Sequence, residues 1–155
     1  KICVTHFHGD HCLGLAGIAC ALTLSACGGK SELNENRDKW DSAGVTHYRF
    51  ELTISCFCPF MDVMPVVVEV KDGQIVSLTD VNGQPLREDF RETFEKAATV
   101  EGLFAVAEDS LSNADQVEVT YDARYGFPTS IVVDWIKMAV DDEIAYYVGA
   151  FKVLE

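Results

Sequence analysis

Polar and apolar positions alternate most cleanly over His47–Ser55. There Tyr48, Phe50, Leu52 and Ile54 fall on one side of an extended chain and Arg49, Glu51 and Thr53 on the other. This two-residue period predicts a strand with one buried face. Residues 66–70 and Gln74–Thr79 flank Lys71-Asp72-Gly73, a hairpin signal. A two-residue Asp-Gly turn would set Val66, Val68 and Val70 beside Ile75, Ser77 and Thr79, whereas a three-residue loop with Gly73 left-handed sets them beside Val76 and Leu78. The second register buries more apolar surface and is the one expected.

Further strands are predicted at Gln116–Tyr121, with Val117, Val119 and Tyr121 inward, and at 129–136, with Ile131, Val133 and Trp135 inward. A last strand spans about 143–152, and a turn covers 122–128. Helical spacing occurs twice. Thr99 caps a helix whose Val100, Leu103, Phe104, Ala107 and Leu111 form one apolar stripe, and Ser31 caps another that runs to Ala43 and stops at Gly44, with Trp40 as its one strong anchor. Between them, 81–98 reads as a loop with a short helix, because Pro85 interrupts it while Leu86, Phe90 and Phe94 recur at helical spacing. The sum is a single α+β domain over 31–155: an antiparallel sheet of about six strands with one or two helices packed on one face.

The 155 residues, 48% hydrophobic, suffice for one compact core. Acidic residues outnumber basic ones 25 to 12, a net charge of −13, and such a field repels nucleic acid phosphates. No nucleic acid partner is expected. No nucleophile elbow, phosphate-binding glycine loop or diagnostic acid–base pair is present, which favours a protein without catalysis.

Residues 13–24, LGLAGIACALTL, form an uncharged run too short for the ~20 residues of a membrane-spanning helix and suited to a secretory signal. The run ends in Leu24-Ser25-Ala26-Cys27-Gly28-Gly29, which resembles the lipobox of bacterial lipoproteins. The resemblance implies that residues 1–26 are removed as a leader, that the Cys27 thiol carries a diacylglyceryl group, and that 27–30 form a tether. Two or three acyl chains, each buried methylene contributing roughly 0.8 kcal/mol, would hold the domain at a membrane of the cell envelope, on its extracytoplasmic side.

A second resemblance comes earlier. Val4-Thr5-His6-Phe7-His8-Gly9-Asp10-His11-Cys12 is similar to the metal-binding segment of the metallo-β-lactamase-fold hydrolases, ribonuclease Z in particular. It implies His6 and His8 on one zinc, Asp10 and His11 on a second, and a metal-activated water attacking a phosphodiester. That dinuclear site also needs histidines and a bridging aspartate far downstream, and this chain has four histidines with none after His47. The chain opens on lysine, and residues 1–18 are expected to derive from a nuclease-like sequence joined to a lipoprotein. No cofactor is expected, with zinc as the alternative.

Four of the six cysteines lie within the first 27 residues, so Cys56 and Cys58 are the only pair in the domain. Cα atoms at i and i+2 of a straight strand lie near the upper limit for a disulfide, and Pro59 favours the bend that would close one. Outside the cytoplasm such thiols oxidise. A structural disulfide is the leading expectation; a redox pair, a copper(I) or zinc site, and free thiols are the alternatives. Asp122, Tyr125 and Gly126 make a candidate ligand site whose simpler reading is a turn, with aspartate accepting from nearby amides and glycine at positive φ. Asp141-Asp142-Glu143 reads as a solvated turn rather than a calcium loop.

Trp40 with Tyr48-Arg49-Phe50, Cys56-Phe57-Cys58-Pro59, Val100-Glu101-Gly102-Leu103-Phe104, Tyr121-Asp122-Ala123-Arg124-Tyr125-Gly126-Phe127-Pro128 and Asp141-Asp142-Glu143 together resemble a family of small bacterial lipoproteins with a domain of unknown function. The expected role is therefore non-catalytic: binding an envelope protein or a small ligand, with the membrane reached through the lipid.

Overall fold

The computed structural model describes residues 25–155. It comprises α1 (Ser25–Ala43), β1 (His47–Ser55), a short 3-10 turn (Met61–Val63), β2 (Val66–Lys71), β3 (Gln74–Thr79), α2 (Glu88–Glu95), α3 (Val100–Asn113), β4 (Gln116–Tyr121), β5 (Pro128–Asp134) and β6 (Glu143–Val153). The strands form a six-stranded antiparallel sheet in the order β3-β2-β1-β6-β5-β4. The architecture is α+β, with three helices among the described residues where the sequence pattern predicts one or two. The third is α2, the short helix expected within 81–98.

The last strand joins the two halves by pairing with both β1 and β5. β1 is therefore central, which explains its regular alternation: Tyr48, Phe50, Leu52 and Ile54 are at most 1% exposed. Opposite them on β2 lie Val70, Val68 and Val66, so both strands bury the same face. α1 meets this core through Leu33 and Trp40, and α3 through Val100, Leu103, Phe104 and Ala107, all buried. Thr99 Oγ1 accepts from the Gly102 amide at 2.9 Å, the cap expected of it.

Three local expectations fail for identifiable reasons. Ser31 is not a cap: α1 begins at Ser25 and runs through Gly28–Lys30, the residues expected to form a tether. At Gly29 a Cβ would lie 3.1 Å from Leu111 Cδ2, so close packing against α3 offsets the low helix propensity of that glycine. The β2–β3 hairpin uses both registers. Lys71 pairs with Gln74 and Val70 with Ile75 around a two-residue turn in which Asp72 and Gly73 both have positive φ, whereas Val68 pairs with Leu78. A bulge between Glu69 and Val70 absorbs the difference and leaves Val76, expected inward, 57% exposed. Finally, β5 starts at Pro128 and stops at Asp134, so Trp135 packs on the core from beyond the strand and Ile136 lies outside it.

Candidate functional site

Two ends of the sheet carry the chemistry. At one, β1 leaves the sheet beside the start of β6, Ser55 pairing with Ala145, and β5 ends beside the starts of β4 and β6. We refer to this as the Cys56 end. At the other, His47 pairs with Lys71 and Tyr121 with Pro128; this is the His47 end.

At the Cys56 end the chain turns sharply after β1, with the Cys58 amide donating to the Cys56 carbonyl at 2.9 Å. This bend brings the Cα atoms to 5.3 Å, and the two sulfurs are bonded. The pair packs half-buried against the core. Its outer surface, with Phe57, Pro59 and Met61, lines an open depression of about 520 Å³. Phe60 anchors the loop from below, its ring centroid 5.1 Å from that of Phe94 and 5.8 Å from that of Phe90 on α2. Asp141 and Glu143 line a neighbouring depression that shares Cys56 and Phe57. Asp142 holds the β5–β6 loop, accepting from the Ile136 amide at 2.7 Å. Burial raises the Asp134 carboxyl pKa above its ordinary value, and the negative charges of Asp142, Glu143 and Asp115 add to the effect.

At the His47 end, Asp122 Oδ1 accepts from the Arg124 amide at 2.9 Å and the Tyr125 amide at 2.6 Å, the hydrogen bonding of an aspartate-nucleated turn. Gly126 has φ of +84°, and a Cβ there would come within 2.4 Å of the Asn36 carbonyl oxygen. The turn therefore lies directly on α1, and Lys39 Nζ donates to the Ala123 carbonyl. Asp122 is thus engaged with its own turn, Gly126 with the helix, and the Tyr125 ring with Phe151 at 5.7 Å.

A part-buried polar junction was not expected from the sequence pattern. Tyr48 Oη accepts from the Val100 amide at 3.0 Å and donates to Glu101 Oε2 at 3.4 Å, while Trp40 Nε1 donates to Glu101 Oε1 at 3.1 Å. Burial drives the Tyr48 phenol well above its ordinary value. Nearer the start of α1, burial and then the Glu32 charge push Tyr121 up to about 12. The signal for the junction was present as Trp40, Tyr48 and Glu101 in separate segments, but only tertiary contact reveals their common purpose, which is to lock α1 and α3 to β1.

Among the described residues no group of three or more His, Cys, Asp or Glu side chains is placed to hold a metal ion. His6, His8, Asp10 and His11, the alternative zinc ligands, lie outside the described residues. His47 sits at the end opposite the cysteines, with Nε2 3.0 Å from Glu69 Oε1. Cys27 falls in the first turn of α1.

A short segment of the chain is similar to ribonuclease Z of Salinispora arenicola (strain CNS-205), 71% identical over 24 residues that make up 16% of this chain and 8% of that protein. The chain therefore spans less than a tenth of that relative's length in the match. No solved structure matches. A family of unknown function, DUF6174, matches residues 32–153, which covers all six strands, all of α2 and α3 and most of α1. The chain belongs to this family, DUF6174.

Proposed function

We propose that this chain is a lipid-anchored extracytoplasmic protein of the cell envelope, acylated on Cys27 after removal of residues 1–26, whose α+β domain works without catalysis as a binding or envelope-structural module. One observation carries the reading: an uncharged apolar run over 13–24 leads directly into Leu24-Ser25-Ala26-Cys27-Gly28-Gly29. A small residue before the cysteine lets a peptidase reach the backbone, and a thiol is the group that accepts the lipid. Among the described residues no helix is long and apolar enough to cross a membrane. The non-catalytic role is supported by Asp122, Tyr125 and Gly126 being committed to the turn and to its contacts. The test is expression of the intact gene with a labelled fatty acid. Label in the protein, lost on Cys27→Ser, is expected; an unlabelled product overturns the assignment.

A second reading, an envelope redox module, is favoured by one feature: the bonded Cys56 and Cys58 line an open depression rather than the interior. Thiol titration with mass spectrometry separates the two. A pair that stays oxidised in mild reductant supports a structural bond, and one that cycles readily supports redox work. The 24-residue likeness to ribonuclease Z covers too little of either chain to bring an activity with it.

A further inference from the structure

Among the described residues, six of the ten exposed large hydrophobic side chains gather at the Cys56 end: Phe57, Met61, Val81, Ile136, Met138 and Val140. Phe57 and Met138 are each 91% exposed and Val140 84%. They come from three separate connections: the segment leaving β1, the one leaving β3, and the β5–β6 loop. The Val81 amide donates to the Val63 carbonyl at 3.0 Å, which ties the second connection to the first. Of the same ten side chains, the His47 end carries two, Val76 and Val153. Apolar side chains concentrated on loop tips mark a surface that is covered in use.

The course of α1 indicates what covers it. Lys39 and Asn36 lie at the 122–127 turn, Glu32 beside Tyr121, and Gly29 against Leu111 in the last turn of α3, so the helix read backwards travels from the His47 end towards the Cys56 end. Cys27 lies two residues beyond Gly29, about 3 Å further along the axis. The described helix begins on this side, at Ser25. Because Cys27 already lies within α1, a lipid on it would have no flexible spacer and would hold the Cys56 end against the bilayer.

The geometry points to a membrane-facing surface: Phe57, Met61 and the 136–140 loop enter the interfacial layer of a bilayer beside the Cys27 lipid. This rests on the acylation proposed above. Charge argues for a bilayer over a second copy. Asp62, Asp115, Asp134, Asp141 and Glu143 surround the apolar tips, with Lys137 as the cation of the loop, and two copies meeting face to face would set these acids against one another. The same acids disfavour anionic lipid, so the surface suits a zwitterionic headgroup layer, into which apolar groups sink about 5–10 Å.

The test uses the full chain, acylated in a bacterial host and reconstituted in vesicles of phosphatidylcholine carrying brominated acyl chains, with acylation read by mass spectrometry. Met138→Trp reports on the loop tip and Lys71→Trp on the opposite end. Both positions are exposed, and both variants share the native tryptophans as background. The expected result is quenching several-fold stronger for Met138→Trp than for Lys71→Trp, reduced when Phe57→Asp is added. Acylated, vesicle-bound protein with equal quenching in the two variants overturns the membrane face and leaves the anchor standing. Quenching insensitive to Phe57→Asp overturns it as well, as does a concentration-dependent dimer that Phe57→Asp dissolves. Absence of lipid on Cys27 overturns the anchor and this surface together.

Discussion

Gly126 and Tyr48 show how much of this fold depends on single atoms. At Gly126 a methyl group would meet both a left-handed backbone and the Asn36 carbonyl oxygen at 2.4 Å. Strain of about 1–2 kcal/mol from the first and a further 1–3 from the second predict a loss of about 2–5 kcal/mol for Gly126→Ala. Gly83 has a similar φ of +75° with open space around it, so Gly83→Ala should show only the conformational part, about 1–2 kcal/mol. Urea midpoints at unchanged m-value measure both. Tyr48→Phe keeps the ring but leaves the buried Val100 amide without an acceptor, and should destabilise by about 1–3 kcal/mol in the same assay.

At the level of elements, α1 is held by one aromatic residue more than by its polar contacts. Trp40 meets Tyr48 edge-on at 5.3 Å and Phe127 and Phe151 at 6.1 Å each. Trp40→Ala should cost about 3–5 kcal/mol, whereas removing the half-exposed Arg37–Glu108 ion pair should cost at most about 1 kcal/mol. The β2–β3 hairpin makes a sharper prediction. Its turn follows one register and its far end the other, with Val76 as the extra residue. Deleting Val76 would close the bulge while keeping Ile75 opposite Val70 and Leu78 opposite Val68. Stability is expected to stay within about 1 kcal/mol of the parent, checked by denaturant titration of the deletion variant.

For the whole molecule, alkaline pH is the condition that tests the core. Burial, followed by the Glu32 charge, raises Tyr121 from 10.0 to about 12, and burial raises Tyr48 further. A phenol with a raised folded pKa contributes stability that is complete below the unfolded value and is lost as pH climbs through the folded one. The melting temperature should therefore fall between pH 10 and pH 12 as the unfolded chain ionises first, with tyrosinate absorbance rising together with loss of structure. Tyr121→Phe should make that fall shallower. The distribution of surface groups is also a property of the whole: apolar tips collect at the Cys56 end, and the closed turns and most of the aromatic packing around Trp40 lie towards the other.

Much of the architecture was legible in the chain itself, because period-two alternation in β1 and the apolar stripe of α3 follow from how strands and helices present side chains. Six strands, the Thr99 cap and the bend between Cys56 and Cys58 all follow from local chemistry. Where local preference and distant contact compete, tertiary structure decides. Gly29 forms part of a helix because Leu111 of α3 lies beside it, and one hairpin adopts two registers because its turn and its core ask for different ones. The candidate site divides the same way. Cys27 and the Cys56–Cys58 pair stand out as residue types at a given spacing, whereas the Trp40–Tyr48–Glu101 junction and the apolar end of the sheet exist only once the chain is folded, since their members are dozens of residues apart and no local pattern joins them.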